Sequence, residues 1–172
     1  METTELKLLG AYKQVNSETG IPFLSYSLAT RRRDADGRKE NVVGSLGANE
    51  PLLLSAANPE LAKQTRDIVR RLRSDEAKDG DLELLDKTFD DEVDTASVNM
   101  GCWFLASNLE WVAQTETRDP DGYGERVMDK RSKRGDRVGN FERESLTQPI
   151  TLKYAGEGGG ISVDMTGAPG VL

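Results

Sequence analysis

The sequence predicts an α+β protein in which antiparallel strands from the N- and C-terminal parts pack on a helical middle section. Three observations point there. Residues 5–46 hold runs that alternate apolar and polar at period two, residues 59–115 carry apolar positions at helical spacing, and short β-prone runs return over 150–165. Strands gathered at the two ends with helices between them argue against a doubly wound parallel sheet. A length of 172 residues, 36% hydrophobic, suits one hydrophobic core, so residues 1–172 are read as a single domain.

The first strand is expected from Glu5 to Val15. Leu6 and Leu8 share a face, and Gly10 marks a bulge where the alternation slips. Asn16 to Gly20 has the polar side chains and glycine of a turn. Phe23 to Thr30 then alternates with Leu24, Tyr26 and Leu28 inward and Ser25 and Ser27 outward, an antiparallel partner for the first strand. A loop with Asp36-Gly37 at its tip precedes a shorter third strand over Asn41 to Leu46.

Asn58-Pro59 opens the clearest helix, because Asn suits the cap, Pro the first helical position and Glu60 the positive end of the dipole. Leu61, Thr65, Ile68, Val69 and Leu72 form its narrow apolar arc. Asp79-Gly80-Asp81 ends it, and a second short helix over Leu82 to Phe89 turns Leu82, Leu85 and Phe89 inward. A central buried helix is expected over Thr95 to Thr115, with Val98, Cys102, Leu105, Leu109 and Val112 in one apolar line. The competing reading makes Cys102 to Ala106 a short buried strand, since periodicity alone does not separate the two. Asp119 to Gly124 is turn chemistry, 126–140 reads as a mobile basic loop, 150–165 as a hairpin across Gly156 to Gly160, and 167–172 as a flexible tail.

The chain has no histidine and one cysteine, Cys102. That removes Ser-His-Asp and Cys-His nucleophiles, histidine general bases, His-ligated zinc, iron–sulfur clusters and internal disulfides. Carboxylate, lysine or tyrosine chemistry, or a carboxylate-bound hard metal, stays open to an enzyme; no catalytic residue is assigned and no cofactor is expected. Laid over a calcium-binding EF-hand loop, Asp75, Asp79, Asp81, Glu83 and Asp86 give a partial set of ligands, but Ala77 fills a ligand position and Asp86 replaces the closing glutamate. An acidic connection between helices is the preferred reading of that segment. Gly156 to Gly160 lacks the strand-loop-helix context and Gly-Lys-Ser/Thr of a phosphate loop.

Charge is segregated within a net of -7. Residues 75–94 hold ten acids against two lysines, whereas three segments are basic. These are Arg31, Arg32 and Arg33 at a strand end, the helical stripe of Lys63, Arg66, Arg70 and Arg73, and the run of Lys130, Arg131, Lys133, Arg134 and Arg137. Cation runs of this kind bind phosphate backbones or form solvated faces. The first expectation is a non-enzymatic structural or interaction protein that self-associates, such as a viral or phage assembly subunit, partnered by itself or another protein. A nucleic-acid or phosphate binder using the arginines is the alternative, and a carboxylate- or metal-dependent enzyme the third. With neither a secretory leader nor an apolar run long enough for a bilayer, no membrane partner is expected, and the expected location is the cytoplasm or an intracellularly assembled particle.

Overall fold

The computed structural model describes residues 3–118, 126–143, 150, 152–154 and 163–164. Strands β1 (Thr3–Val15), β2 (Pro22–Arg33) and β3 (Lys39–Ala48) lead into helices α1 (Leu52–Ala57), α2 (Pro59–Arg73) and α3 (Asp81–Val98). Strands β4 (Trp103–Ser107), β5 (Leu109–Ala113), β6 (Thr115–Arg118), β7 (Arg126–Asp129), β8 (Arg137–Arg143), β9 (Leu152–Tyr154) and β10 (Val163–Asp164) follow. The fold is α+β, with the strands packed on the helical section.

The sheet runs β10-β9-β4-β1-β2-β3-β8-β5, with β6 and β7 as a separate pair. Only Asn108 separates β4 from β5, yet β4 pairs with β1 and β5 pairs with β8. They are therefore two halves of one bent strand, and the sheet curls until five strands close on themselves as β1, β2, β3, β8 and β5–β4. Asn108 makes the bend at φ 63°, a left-handed conformation that Asn adopts more readily than most residues. The contact between β3 and β8 is parallel and covers Val42 to Ser45 opposite Arg137 to Asn140, so this Greek-key barrel is partly open. The helices lie between its third and fourth strands, and the β6–β7 pair stands in the connection from β5 to β8.

Local sequence explains the first half well. The β1–β2 register shifts between Leu8 and Gly10, where the bulge was expected. Along β2, Leu24, Tyr26, Leu28 and Thr30 are buried while the residues between them are half-buried. The α2 helix starts at Pro59, although the Asn58 side chain makes no cap bond; its backbone oxygen accepts from Leu61 instead. Thr65, Ile68 and Val69 are buried as the helical arc requires. The α3 helix is longer than expected, burying Leu85 and Phe89 and then Glu92, Thr95 and Ala96, whereas Leu82 is exposed.

The central helix over 95–115 is not formed. Its supposed apolar line fails at both ends, with Val98 62% and Val112 41% exposed. Phe104 and Ala106 point inward on β4, and after the Asn108 bend the buried position is Trp111 on β5. The two period-two patterns are out of phase by one residue, and Leu105 and Val112 of the supposed line fall on outward positions of β4 and β5. The segment 126–140 also differs from a basic loop, because β7 and β8 occupy most of it and Gly139 is buried. Strands β9 and β10 lie within the expected hairpin segment and pair with one another, while the 119–124 turn, the 156–160 glycines and the 167–172 tail lie outside the described residues.

The helices are held to one another by an ion pair. Arg71 donates two hydrogen bonds to Asp81, at 3.0 and 2.8 Å, and the Lys78 amide donates a third at 2.9 Å. The Arg71 guanidinium and that amide hold the Asp81 carboxyl down at about 2, from 3.8. A depressed carboxylate stabilises the folded state fully above its unfolded value and loses that stabilisation as pH falls through the folded one. Urea midpoints measured from pH 5 to pH 2 should therefore fall less for Asp81→Asn than for wild type, and parallel curves would show that the pair does not hold the helices.

Candidate functional site

Where β1 leaves β2, the barrel wall opens. The last β1–β2 pair is Lys7 with Ala29; before it β1 runs with β4, while β2 continues beside β3 to Arg33. The gap is a cavity of about 660 Å³ lined by Trp103, Trp111, Phe141, Leu109 and Thr30, with Arg31, Arg32, Glu5 and Glu110 at its polar parts. That size suits a small planar ligand. Both tryptophans of the chain line this one cavity.

Trp111 is fixed from several sides. Its indole nitrogen donates to the Val43 carbonyl at 3.1 Å, and the guanidinium carbons of Arg32 and Arg137 lie 4.8 and 5.5 Å from a ring centroid. Those distances permit cation–π attraction, which is worth about 0.5–2 kcal/mol according to desolvation. Glu40 accepts from Arg32 at 2.9 Å and from Arg137 at 3.3 Å, and Arg137 also meets Asp129 at 2.5 Å. The ion chain ties β2, β3, β8 and β7 together at one end of the barrel. Arg32 and Arg137, two of the expected anion-binding residues, are thus spent on structure.

The remaining cations at this end are differently placed. Arg31 bonds the neutral Asn41 side chain, Arg33 the Gly37 carbonyl and Arg131 the Gly135 carbonyl. None of these, nor Lys39, Lys130, Lys133 or Arg134, forms an ion pair with the acids among the described residues. Parallel pairing puts the starts of β3 and β8 side by side, so the 34–38 and 130–136 turns are neighbours. Two of the three basic segments therefore converge.

The third lies at the far end of β2. Arg66, Arg70 and Arg73 line a cleft of about 1160 Å³ together with Phe23 and Gly47, where β3 and β8 have diverged. Arg66 is committed to buried Glu50 at 2.6 Å, shared with Arg143 at 2.8 Å, and Arg70 meets Asp67 at 3.2 Å. Lys63 is exposed on the same helix. The stripe is thus a cleft edge with part of its charge neutralised.

Between the two ends runs the outer face of β1, β2 and β3. It presents Lys7 and Tyr12 on β1, Phe23, Ser25, Ser27, Ala29, Arg31 and Arg33 on β2, and Lys39, Asn41, Val43, Ser45 and Gly47 on β3. From Lys7 onward the face carries four cations and no acid, in a chain with thirty acidic residues, and Glu5, on the same side of β1 as Lys7, stands at its cavity end. Tyr12 is 58% exposed on it, surrounded by glycine and serine. Sequence reasoning named Arg31 and Arg33 but neither Lys7 nor Lys39, and it missed the lane, because its small side chains gain meaning only when three strands lie together.

The acidic candidates do not converge in the same way. Asp81 is bound to Arg71 and Asp86 to Lys13, while Asp75, Asp79 and Glu83 are exposed. Among the described residues no group of three or more His, Cys, Asp or Glu side chains is placed to hold a metal. No helix among them is long and apolar enough to cross a membrane. No protein-family model, curated protein or solved structure compared with the chain matches it.

Proposed function

We propose that the protein binds single-stranded nucleic acid along the outer face of β1–β3, with the strand leading into the tryptophan cavity. The carrying observation is the cationic lane, whose one acid, Glu5, stands at its cavity end, bordered by arginines with no acidic partner among the described residues and lying beside a cavity lined by both tryptophans. Cations supply the sequence-independent attraction to phosphates, while Tyr12 and Trp103 offer π-faces on which bases stack. From Phe23 to Arg31 the lane measures about 26 Å at the usual rise of a strand. Five-stranded, partly open Greek-key barrels of the OB type take oligonucleotides on the face of their second and third strands. The connectivity here is of that kind, but the likeness is one of fold alone and the named residues must carry the function.

Arg31→Glu with Arg134→Glu tests the reading, since both side chains are exposed and neither closes an ion pair among the described residues. Binding of ten-nucleotide single strands, followed by anisotropy, should weaken about tenfold or more in the variant. With about four phosphate contacts, wild-type affinity should fall on the order of fifty-fold between 50 and 200 mM salt. Tight binding that ignores salt and both substitutions would refute the proposal.

One observation favours the assembly-subunit reading. Lys13, opposite Leu24 at the start of β2, pairs with Asp86 and Asp90 of α3, so this acidic helix sits at the opposite end of β2 from Arg31 to Arg33. Opposite charge at opposite ends suits head-to-tail pairing of copies. Loss of mass in sedimentation by the same variant, with no nucleic acid bound before or after, would decide for that reading.

A further inference from the structure

Two carboxylates stand where a polyanion site should have none. Glu5 and Glu110 line the tryptophan cavity, are exposed, and form no ion pair among the described residues. The Glu5 backbone oxygen accepts from the Thr30 hydroxyl, which fixes that wall of the gap. Glu110 stands directly opposite Glu142 across the β5–β8 pair, a like-charge juxtaposition that weakens an antiparallel sheet. Such groups repel phosphate, so what they admit to the cavity is the part of a nucleotide that donates hydrogen bonds.

We propose that this cavity is a base pocket that selects amino-bearing bases, cytosine, adenine or guanine, over thymine and uracil, with Glu5 and Glu110 as the groups that read the base. The inference rests on the proposed binding of single-stranded nucleic acid and names what its tryptophan cavity recognises. An ionised carboxylate only accepts hydrogen bonds. The exocyclic amino group of cytosine, adenine or guanine satisfies it, as glutamate does with the cytosine N4 amino group in duplex readout. Thymine and uracil offer one ring N–H between two carbonyl oxygens, and those oxygens would face the carboxylates. Trp103, Trp111 and Phe141 give the cavity aromatic surface to hold a base that has left its own stack.

The test uses the full chain, a ten-residue oligothymidine, and the same oligomer carrying one cytosine at each position in turn. Tryptophan fluorescence reports occupancy. At one or two positions the cytosine should tighten binding about fivefold or more, the range of a good base contact. The double variant Glu5→Gln, Glu110→Gln should bind every oligomer more tightly, having lost two negative charges, but its cytosine-to-thymine ratio should collapse towards one. Both side chains are exposed, and an unchanged melting temperature confirms that the variant is folded. A wild-type ratio of one at every position, or a ratio that survives in the variant, overturns the base pocket and leaves the binding lane intact. Failure of every oligomer to bind at low salt overturns the lane and the pocket together.

Discussion

Gly139→Ala should destabilise the protein by about 3 kcal/mol, the upper part of the range for overpacking a closely fitted interior. Gly139 lies on β8 between β3 and β5, paired with Gly44 on one side and Ala113 on the other. A Cβ there would collide with the Val112 carbonyl oxygen and stand 2.7 Å from the Trp111 ring. The backbone oxygen is fixed by strand pairing, and moving the ring breaks its bond to Val43 and its contacts with Arg32 and Arg137. Gly44 is confined too, though less tightly, since its Cβ would lie 2.8 Å from the Gly139 carbonyl oxygen. Gly47, three residues on in the same strand, meets nothing within 4 Å, so Gly47→Ala should stay within about 0.5 kcal/mol of wild type, as ordinary surface substitutions do. Urea unfolding of the three proteins checks this. Equal stabilities for Gly139→Ala and Gly47→Ala would mean that β3, β8 and β5 do not approach as closely as described.

Glu92→Ala should cost about 3 kcal/mol or more, since it leaves several buried neutral donors unsatisfied at about 1–3 kcal/mol each. Glu92 is fully buried on α3, and its carboxylate accepts from the amides of Leu53 and Leu54 at 2.8 and 3.0 Å and from the Tyr26 hydroxyl. Tyr26 in turn accepts from the Leu52 amide at 2.9 Å. Pro51, at the cap position of α1, makes no side-chain cap bond, so Glu92 does from a distance what a local Ser or Asp does elsewhere. Alanine would strand those donors in a dry site. Tyr26→Phe, which leaves the Leu53 and Leu54 bonds in place, should cost clearly less. Near-equal losses for the two would show that the helix amides do not depend on Glu92.

The same carboxyl has a pH signature. Burial pushes it above its ordinary value of 4.5, against the lowering effect of the hydrogen bonds. The folded state then holds the proton more tightly than the unfolded one, so this group's contribution to stability falls as pH rises from the unfolded value through the folded one. Its sign is opposite to that of Asp81. Comparing urea midpoints of wild type and Glu92→Gln across pH 4 to 8 isolates it, because glutamine does not titrate; an identical pH slope in both would contradict the burial effect.

Legibility varied along the chain for identifiable reasons. The β1–β2 pair and the start of α2 follow from alternation, a bulging glycine and an Asn-Pro boundary, all local signals. The first turn of α1 was not legible, since its anchor is a residue on another helix. The cations were legible as charge runs, but that Arg32 and Arg137 close on Glu40 while Arg31, Lys133 and Arg134 have no acidic partner among the described residues depends on which strands become neighbours.

By itself the sequence determined the α+β class, the inward positions Leu24, Tyr26 and Leu28, and the absence of histidine-based chemistry, because each depends on residue type and short-range periodicity. Tertiary structure alone decided that 103–113 is a strand bent at Asn108. A one-residue change of phase there turns one alternation into two and lets the same segment pair with β1 before the bend and β8 after it. It also decided that Gly44 and Gly139 meet, that both tryptophans line one cavity, and that three strands share a cationic face whose one acid, Glu5, stands at the cavity. Those relations join residues far apart in the chain, and no local pattern encodes which distant strands pair until the barrel closes.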